Sequence, residues 1–209
     1  MKPHPLHVIS CGTAPEDLTG ESLRALDECD LLYGGKRMLD WFPNHPAEKI
    51  SLTADLSHQI QSLESLSTRY TIGILASGDS LFFGIASRLL QTFPQSQLVI
   101  HPGISAMQAA ASRLGLDWHR AHFFSIHGRE TPLPWRAILQ RPLSVTYGDP
   151  LRPSSWIAGE LCKHFPAAAN RPAHIADQLG SPSEQILSDS LEALSRMTVS
   201  GQSMLILGP

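Results

Sequence analysis

The chain contains 209 residues, of which 42% are hydrophobic and 17% are charged, and its formal net charge is -3. This composition is typical of a globular protein with a sizeable core and excludes an intrinsically disordered chain. The absence of a basic excess argues against nucleic acid as a partner. No apolar run approaches the roughly 18 residues that span a bilayer, and the first residues do not resemble a signal peptide, so we expect a cytoplasmic protein that does not bind membranes.

Cysteine and histidine usage indicates neither a disulfide framework nor a metal site. The 3 cysteines form no C-x-x-C pattern, which is typical of free thiols in a reducing compartment. The 10 histidines have no acidic or cysteine neighbours at zinc-ligand spacing. Arginine greatly outnumbers lysine among the basic residues, and its planar guanidinium matches carboxylates well.

Short apolar runs alternate with amphipathic stretches along the first half of the chain, a pattern typical of α/β proteins. Thr19 is a predicted helix cap, and Leu56, Ile60 and Leu63 share one face of a predicted helix. The run 71–75 is apolar enough to be a central strand that is covered on both faces. The predicted strands are 6–11, 30–33, 71–75 and 98–100, and further helices are predicted at 81–90 and 107–114.

The texture of the sequence changes between residues 115 and 121, after which the segments are shorter and interrupted by proline. We therefore expect two α/β domains, residues 1–116 and residues 117–209. In the second domain the predicted strands are 123–126, 143–147, 173–175 and 204–207, and a helix is predicted at 154–162.

Three predicted turns in the first domain share one design, in which a strand leads into a glycine-containing loop. They centre on Gly12, Gly78 and Gly103. In an open α/β sheet ligands bind at the carboxyl ends of the strands, where the N–H groups of helix N-termini point outward. The first loop lacks the G-x-G-x-x-G pattern, so ordinary dinucleotide binding is not indicated.

The second and third loops carry the more specific chemistry. Gly78 allows close approach of backbone to a ligand, Asp79 offers a carboxylate to a ligand hydroxyl or cation, and Phe82 with Phe83 offers apolar walls. The bland alternative is that Asp79 is the N-cap of the following helix. Ser105 in the third loop is equally explained as a helix cap or as a ligand contact.

Together these loops resemble those of the tetrapyrrole methylase superfamily, which uses S-adenosylmethionine in corrin and sirohaem synthesis. The resemblance runs from Val8 to Leu207 and implies a cofactor cleft between two α/β domains with mixed sheets. A further set of residues is similar to the branch that methylates C-5 of cobalt-precorrin-7 or precorrin-6B in cobalamin biosynthesis. The residues that carry the resemblance are Ser77-Gly78-Asp79, Pro102-Gly103-Ile104-Ser105-Ala106, Gln108, Ala110, Arg113, Leu114, Gly115, Trp118 and His127-Gly128-Arg129.

The chain departs from the superfamily pattern in two of the loops. Ser10, Thr13 and Ala14 stand where the first loop is usually richer in glycine and contains proline, and Ser80 stands where proline is preferred. These changes either loosen the loops or replace a rigid turn with a hydrogen-bonded one.

The resemblance also assigns the cofactor contacts. For Tyr147 the alternative is a strand-end aromatic that packs on its neighbours, and for Gly180 it is an ordinary turn residue. The implied contacts with S-adenosylmethionine, or with its product S-adenosylhomocysteine, are Ser77, Gly78, Asp79, Phe82, Ser105, Ala106, Tyr147 and Gly180.

A precorrin carries a rim of carboxylates, which favours arginine at the substrate site. Arg129, Arg113 and Arg37 are the predicted substrate contacts, although exposed arginines are commonly just solvated surface. His127 is the predicted proton-handling group, because an imidazole titrates near neutral pH. Methyl transfer from S-adenosylmethionine needs no nucleophilic side chain, and the sequence offers no convincing nucleophile with a neighbouring base.

The resemblance further implies a homodimer. Some C-5 enzymes are fused to a methyltransferase that acts at C-15 with decarboxylation. We expect either that a separate protein supplies that activity here or that this chain is the N-terminal half of such a fused enzyme. Two alternatives remain open from the residues. One keeps the fold and cofactor but methylates another tetrapyrrole carbon or another acceptor, and the other is a non-enzymatic α/β module that binds a nucleotide-like ligand.

Overall fold

The structure is a computed structural model that describes residues 3–53, 55–126 and 132–208. The chain divides into two compact units, Met1–Ala106 and Met107–Pro209, each with its own five-stranded sheet. The boundary expected near residue 116 would place the helix Ala106–Leu114 in the first domain. In the structure all of this helix except Ala106 belongs to the second unit.

The first unit is built on a parallel sheet in the strand order β3-β2-β4-β1-β5. Strand β1 lies between β4 and β5, with Val8 paired to Ile74 of β4 on one side and to Ile100 of β5 on the other. The described strands and helices of this unit are β1 (Leu6–Ser10), α1 (Gly20–Asp27), β2 (Leu31–Gly34), α2 (Lys36–Asp40), β3 (Glu48–Ser51), α3 (Leu56–Leu66), β4 (Ile72–Ala76), α4 (Ala86–Thr92) and β5 (Leu98–His101).

Both faces of this sheet are buried, because successive residues of a strand point to opposite faces and both sets are apolar. Val8 packs into a cluster with Leu63 of α3 and Leu89 of α4, whereas Ile9 packs into a cluster with Leu26 of α1. The predicted central strand and the helix face of α3 are thereby confirmed. Thr19 is also confirmed as the cap of α1, since its side chain accepts a hydrogen bond from the backbone N–H of Ser22.

The second unit contains a mixed sheet in the order β6-β7-β10-β8-β9, in which only β6 and β7 pair in parallel. Helices α7 and α8 supply Ile157, Leu161 and Leu194 to a core on one face of it. The described elements are α5 (Ala106–Leu114), β6 (His122–Ser125), α6 (Trp135–Gln140), β7 (Ser144–Tyr147), α7 (Ser154–His164), β8 (Pro172–Asp177), β9 (Gln185–Ser190), α8 (Leu191–Ser195) and β10 (Ser203–Leu207).

The α/β class predicted from the sequence is confirmed. Mixed pairing was expected of both sheets; it is found in the second, while the first is parallel throughout. Two strands were not predicted, β3 and β9, and each lies at an edge of its sheet. None of their residues is buried and most are polar, so they lack the apolar run by which the other strands were recognised.

The helix predicted at 81–90 was wrong in its first half, since α4 begins only at Ala86. Phe83 has a positive φ of 57°, which a right-handed helix excludes. Gly84 is also pressed against the chain, because a Cβ there would lie 2.4 Å from the carbonyl oxygen of Ser80. The segment before α4 is therefore a compact turn that follows the second glycine loop.

Candidate functional site

Two of the predicted glycine loops are joined at the carboxyl edge of the first sheet. The N–H of Gly78 donates to the carbonyl oxygen of Gly12 at 2.7 Å, and the N–H of Gly12 donates to that of Gly78 at 3.2 Å. Both glycines have positive φ, 71° at Gly12 and 63° at Gly78, a conformation that other residues adopt only at a cost. The loops after β1 and β4 therefore form one paired unit.

The third loop packs directly on this pair. A Cβ at Gly103 would lie 2.7 Å from the carbonyl oxygen of Ser10 and 2.9 Å from that of Gly78, so only glycine fits. Three turns that are far apart in the sequence thus meet at one edge of one sheet, where an α/β protein is expected to bind its ligand.

Asp79 lies half-buried at this meeting point. Its Oδ1 accepts the backbone N–H of Leu81 at 2.8 Å, and its Oδ2 is 3.5 Å from the backbone nitrogen of Gly103. Because α4 begins seven residues later, at Ala86, Asp79 is not a helix N-cap. Its carboxylate instead closes a tight turn and faces the third loop. Ser77, two residues earlier, is exposed.

The remaining predicted contacts of the first unit flank Asp79. Phe82 and Phe83 meet edge to face with ring centroids 5.0 Å apart. Ser105 is buried one residue before α5, in the position of a helix cap, and Ala106 is the first residue of that helix. The position of Ser105 leaves both of its predicted roles open.

Two exposed aliphatic side chains at this edge were not predicted. Leu81 is 51% exposed in the turn after Asp79, and Ile104 is 40% exposed in the third loop. Single exposed apolar side chains are common on protein surfaces, so these two are candidate ligand contacts only because they lie in the loops beside Asp79. Their positions inside the two loop motifs were the only sequence signal for them.

The departures in the first and second loops are compensated by hydrogen bonds. The Oδ2 atom of Asp17 accepts three hydrogen bonds. They come from the backbone N–H of Thr13 at 2.7 Å, the side-chain hydroxyl of Thr13 at 2.8 Å and the backbone N–H of Ala14 at 3.2 Å. The N–H of Ser80 donates to Oγ of Ser10 at 2.9 Å. Of the two outcomes that the sequence left open, the structure has the hydrogen-bonded turn.

Arg37 also belongs to this edge, since it lies in α2, just past the carboxyl end of β2. Its guanidinium sits over the ring of Trp41, 5.7 Å from the centroid. Partial burial lowers the pKa of Arg37, and the nearby Cys11 acts in the opposite direction. The side chain is held by packing rather than extended into solvent.

In the second unit, the predicted contacts Tyr147 and Gly180 lie at or just after the carboxyl ends of β7 and β8. Tyr147 ends β7, and its carbonyl oxygen accepts the N–H of Ile126, the residue after β6, at 3.1 Å. The loop that contains Gly180 follows β8, and it is tied to the start of β10 by the bond from the N–H of Gln178 to the carbonyl of Gln202 at 3.3 Å. Burial raises the pKa of Tyr147, an effect that the backbone of Met107 partly opposes.

Gly180 and Arg113 are both linked to Glu184. The N–H of Gly180 donates to Oε2 of Glu184 at 2.7 Å, and Arg113 donates through Nε to Oε1 at 2.8 Å and through Nη2 to Oε2 at 3.3 Å. These bonds hold the pKa of Glu184 below its usual value, the Arg113 side chain first and the Gly180 backbone second. The Arg113 guanidinium thus has a protein carboxylate as a partner, and its contact with substrate stays a prediction.

The segment that carries the predicted proton-handling group His127 and the predicted substrate contact Arg129 lies outside the described residues. Both assignments stay predictions. Ile126, which directly precedes the segment, is fully buried.

Asp149 and Arg152, which follow Tyr147, form an ion pair that the sequence did not predict. The Oδ2 atom of Asp149 lies 2.7 Å from Nη2 of Arg152. Desolvation raises the pKa of the Asp149 carboxyl, but the hydrogen bonds and charge of Arg152 outweigh it and leave the pKa lowered. The sequence signal that could have pointed to this turn is Gly148-Asp149-Pro150, which directly follows a predicted strand.

Within residues 3–53, 55–126 and 132–208, no three His, Cys, Asp or Glu side chains are grouped so that they would hold a metal ion. In the same part of the chain, none of the helices has the length and apolar character needed to cross a bilayer.

Comparisons with known proteins agree with the loops. The family model for Tetrapyrrole (Corrin/Porphyrin) Methylases matches residues 5–195. A cobalt-precorrin-7 C(5)-methyltransferase of Salmonella typhimurium is 38% identical over 125 residues, which are 59% of this chain and 62% of that protein. A decarboxylating precorrin-6Y C(5,15)-methyltransferase of Mycobacterium tuberculosis is 25% identical over 183 residues, which are 85% of this chain and 45% of that protein. The chain thus matches less than two thirds of the length of either relative.

A solved structure has the same fold. Uroporphyrin-III C-methyltransferase of Thermus thermophilus, in complex with S-adenosylhomocysteine, superposes with a TM-score of 0.75 at 21% identity, over 98% of this chain and 92% of that one. The family match over most of the chain decides the assignment. The chain belongs to the tetrapyrrole (corrin/porphyrin) methylase family.

Proposed function

We propose that this protein is an S-adenosylmethionine-dependent C-methyltransferase that methylates C-5 of a precorrin, either cobalt-precorrin-7 or precorrin-6B, in cobalamin biosynthesis. The observation that carries the proposal is the meeting of the Gly12, Gly78 and Gly103 loops around the carboxylate of Asp79. The name of the Salmonella relative supports the choice of ring carbon.

The chemistry of the first-unit loops fits the cofactor. S-adenosylmethionine carries a ribose diol, a cationic sulfonium and a flat adenine, which call for a carboxylate, a compact backbone turn and apolar walls. Asp79 offers the carboxylate, the paired loops offer the close backbone approach, and Leu81 and Ile104 offer exposed apolar surface. Ser77, Gly78, Phe82, Ser105 and Ala106 are the further contacts that we propose in this unit, with S-adenosylhomocysteine as the product.

S-adenosylmethionine supplies an activated methyl group, so the protein has to hold the acceptor carbon in line with it and exclude water. Asp79 is fixed by its bond to the N–H of Leu81 and needs no rearrangement to accept a ligand hydroxyl. The edge-to-face pair of Phe82 and Phe83 keeps an apolar surface beside it. These residues position and desolvate the reaction without forming a bond to the methyl group.

In the second unit we propose Tyr147 as the residue over the adenine and Gly180 as a backbone contact. Tyr147 is well placed for a defined contact because it ends a strand that is paired on both sides. The N–H of Gly180 is bonded to Glu184, which leaves its carbonyl as the group to contact a ligand.

Arginines are the proposed partners of the substrate carboxylates, as they are planar and permanently charged. Arg37 lies beyond the carboxyl end of β2, at the same sheet edge as the glycine loops. Arg113 and Arg129 complete the proposed set, and His127 is the proposed proton-handling group.

We also propose a cytoplasmic homodimer that acts beside a separate C-15 methyltransferase and decarboxylase. The superfamily resemblance supports the dimer. The name of the Mycobacterium relative pairs methylation at C-5 with methylation at C-15 and decarboxylation, which is the activity we assign to the partner. Light scattering of the purified protein tests the dimer.

Calorimetric titration with S-adenosylhomocysteine tests the cofactor site. We expect Asp79→Ala to weaken binding at least tenfold, and Asp27→Ala to leave it unchanged. Asp27 is a matched control because it is an exposed carboxylate at the end of α1. Equal affinity of wild type and Asp79→Ala contradicts the site.

Incubation with enzymatically prepared cobalt-precorrin-7 or precorrin-6B and S-adenosylmethionine tests the reaction. We expect one added methyl by mass spectrometry, located at C-5 by NMR of the labelled methyl group. A methyl on another carbon supports the alternative acceptor position. Cofactor binding without transfer to any tetrapyrrole supports a non-enzymatic binding module.

A further inference from the structure

We propose that Asp149 and Arg152 are positioning residues for Tyr147. The two side chains close a ring of bonds that ties the turn after this tyrosine to the neighbouring strand end. The inference rests on the proposed function in one respect, namely that Tyr147 contacts the cofactor.

The carboxylate of Asp149 is the centre of the ring. It is buried, and it accepts four hydrogen bonds from the described residues. Oδ1 accepts the backbone N–H groups of Leu151 at 3.0 Å and Arg152 at 2.7 Å, and Oδ2 accepts Nε of Arg152 at 3.2 Å and its Nη2 at 2.7 Å. The backbone bonds to Oδ1 lie within the turn, whereas the guanidinium also reaches a group outside it.

That connection runs to the neighbouring strand. Nη2 of Arg152 also donates to the carbonyl oxygen of Ile126 at 3.3 Å. The N–H of Ile126 in turn donates to the carbonyl oxygen of Tyr147 at 3.1 Å. Since Asp149 follows Tyr147 by two residues, the path through Ile126, Arg152 and Asp149 returns to Tyr147 and closes.

The turn inside the ring has little freedom to adjust. A Cβ at Gly148 would lie 2.8 Å from the carbonyl oxygen of Arg152, and a Cβ at Gly201 would lie 2.4 Å from Cα of Pro150. The backbone groups of Asp149 and Arg152 also exchange two hydrogen bonds of 3.1 Å. Because the turn is packed this closely, a change in the ring has to be taken up by the ends of β6 and β7.

Arginine is required at this position because its planar fork bonds a carboxylate with two nitrogens and a carbonyl with one of the same pair. Lysine preserves the charge opposite Asp149 with a single nitrogen. We therefore expect Arg152→Lys to keep the ion pair and to lose the link to Ile126.

The first test reads Tyr147 directly by fluorine NMR of protein labelled with fluorotyrosine. The chain has 3 tyrosines, and Tyr147→Phe assigns the signal. We expect Arg152→Gln to shift or broaden the Tyr147 resonance well below the unfolding temperature and to leave the other two in place. Arg196→Gln is the matched control, since it breaks an exposed ion pair with Glu192 on α8.

The second test compares affinities for S-adenosylhomocysteine. We expect Arg152→Gln to weaken binding five- to tenfold, Arg152→Lys to fall between it and wild type, and Arg196→Gln to match wild type. If Arg152→Gln does not fold, Arg152→Lys and Asp149→Asn provide the same comparison.

The two readouts separate this proposal from the proposed function. An unchanged Tyr147 resonance in both Arg152 variants overturns the positioning role, whether or not the wild type binds the cofactor. A shifted resonance in a protein whose wild type does not bind S-adenosylhomocysteine supports the positioning role and contradicts the proposed function.

Discussion

Ser10, the last residue of β1, and Ser80, in the loop after β4, are joined by two hydrogen bonds although both are fully buried. The N–H of Ser80 donates to Oγ of Ser10 at 2.9 Å, and Oγ of Ser10 lies 3.0 Å from Oγ of Ser80 and donates to it. Position 80 is where tetrapyrrole methylases prefer proline, which has no N–H. Serine at position 80 therefore introduces a backbone N–H that is buried, and the side chain of Ser10 supplies the acceptor for it.

This relationship predicts unequal effects at the two serines. Ser10→Ala leaves the N–H of Ser80 buried without its acceptor, and we expect a loss of about 1–3 kcal/mol in the free energy of unfolding. Ser80→Ala keeps that bond and removes only the contact between hydroxyls, so we expect a loss of about 1 kcal/mol or less. Urea denaturation of both variants measures the difference, and the reverse order contradicts the assignment.

Gly103→Ala is expected to separate the three glycine loops. The new Cβ would meet carbonyl oxygens of Ser10 and Gly78 at 2.7 and 2.9 Å, and overpacking of this kind costs about 1–3 kcal/mol of stability. We also expect the affinity for S-adenosylhomocysteine to fall at least tenfold, measured by calorimetry. Gly35→Ala is the control, because a Cβ there meets nothing within 4 Å, and an equal effect of the two substitutions would show that the packing at Gly103 is irrelevant.

Asp17 is expected to hold the first loop closed. Asp17→Ala removes the acceptor of two backbone N–H groups and one hydroxyl, and we expect a loss of about 2 kcal/mol in the free energy of unfolding. Glu16→Ala removes a neighbouring exposed carboxylate from the same short 3-10 turn. Thermal denaturation compares the two, and similar melting temperatures exclude this role for Asp17.

The paired histidines of the first sheet predict loss of stability in acid. Nδ1 of His7 lies 3.1 Å from Nε2 of the buried His101, and the rings stack. Burial lowers the pKa of both; His101 lowers that of His7 further, while Glu28 opposes the shift at His7 and Glu21 opposes it at His101. The unfolded chain, with histidine pKa values near 6.5, then binds more protons than the folded protein as the pH falls through this range.

Stability is therefore expected to be complete above about pH 7 and to decrease as the pH falls below the unfolded histidine value. Urea midpoints between pH 5 and pH 8 measure the slope, at about half-unit steps. His7→Gln is expected to flatten it, whereas His58→Gln, which changes an exposed histidine on α3, is not. Parallel curves for wild type and His7→Gln are the contrary result.

Arg113 and Glu184 are expected to act as one unit. Their side chains are 42% and 26% exposed, so solvent screening keeps the coupling energy between them at about 0.5 kcal/mol. We expect Arg113→Gln and Glu184→Gln to be less than additive in the double variant, measured by urea denaturation. Full additivity means that the pair does not interact in solution. A rise in precorrin KM in Arg113→Gln but not in Glu184→Gln supports the substrate contact.

The sequence was most informative where burial imposes a pattern. The inner strands were recognised because both of their faces are covered, so that nearly every residue has to be apolar. Edge strands β3 and β9 lack such an apolar run and were missed, whereas edge strands β5 and β6 contain apolar residues and were predicted. The turn at Phe83 was taken for helix, since apolar spacing does not report the sign of φ.

The candidate site followed the same division. The glycine loops were identified from local sequence, because close backbone approach requires glycine whatever surrounds it. The pairing of Gly12 with Gly78 and the close packing of Gly103 against both loops depend on the strand order, which brings the ends of β1, β4 and β5 together.

By itself, the sequence determined the α/β class, the family and the loops that meet the proposed cofactor, since each of these depends on short-range residue type and spacing. Only the tertiary structure decided which polar groups form hydrogen bonds and ion pairs with one another. Arg113 bonds Glu184, which is 71 residues away in the sequence, and Arg152 bonds the carbonyl of Ile126, which is 26 residues away. Partners at such separations are selected by strand order and by the need to satisfy buried polar groups, and neither leaves a local mark on the chain.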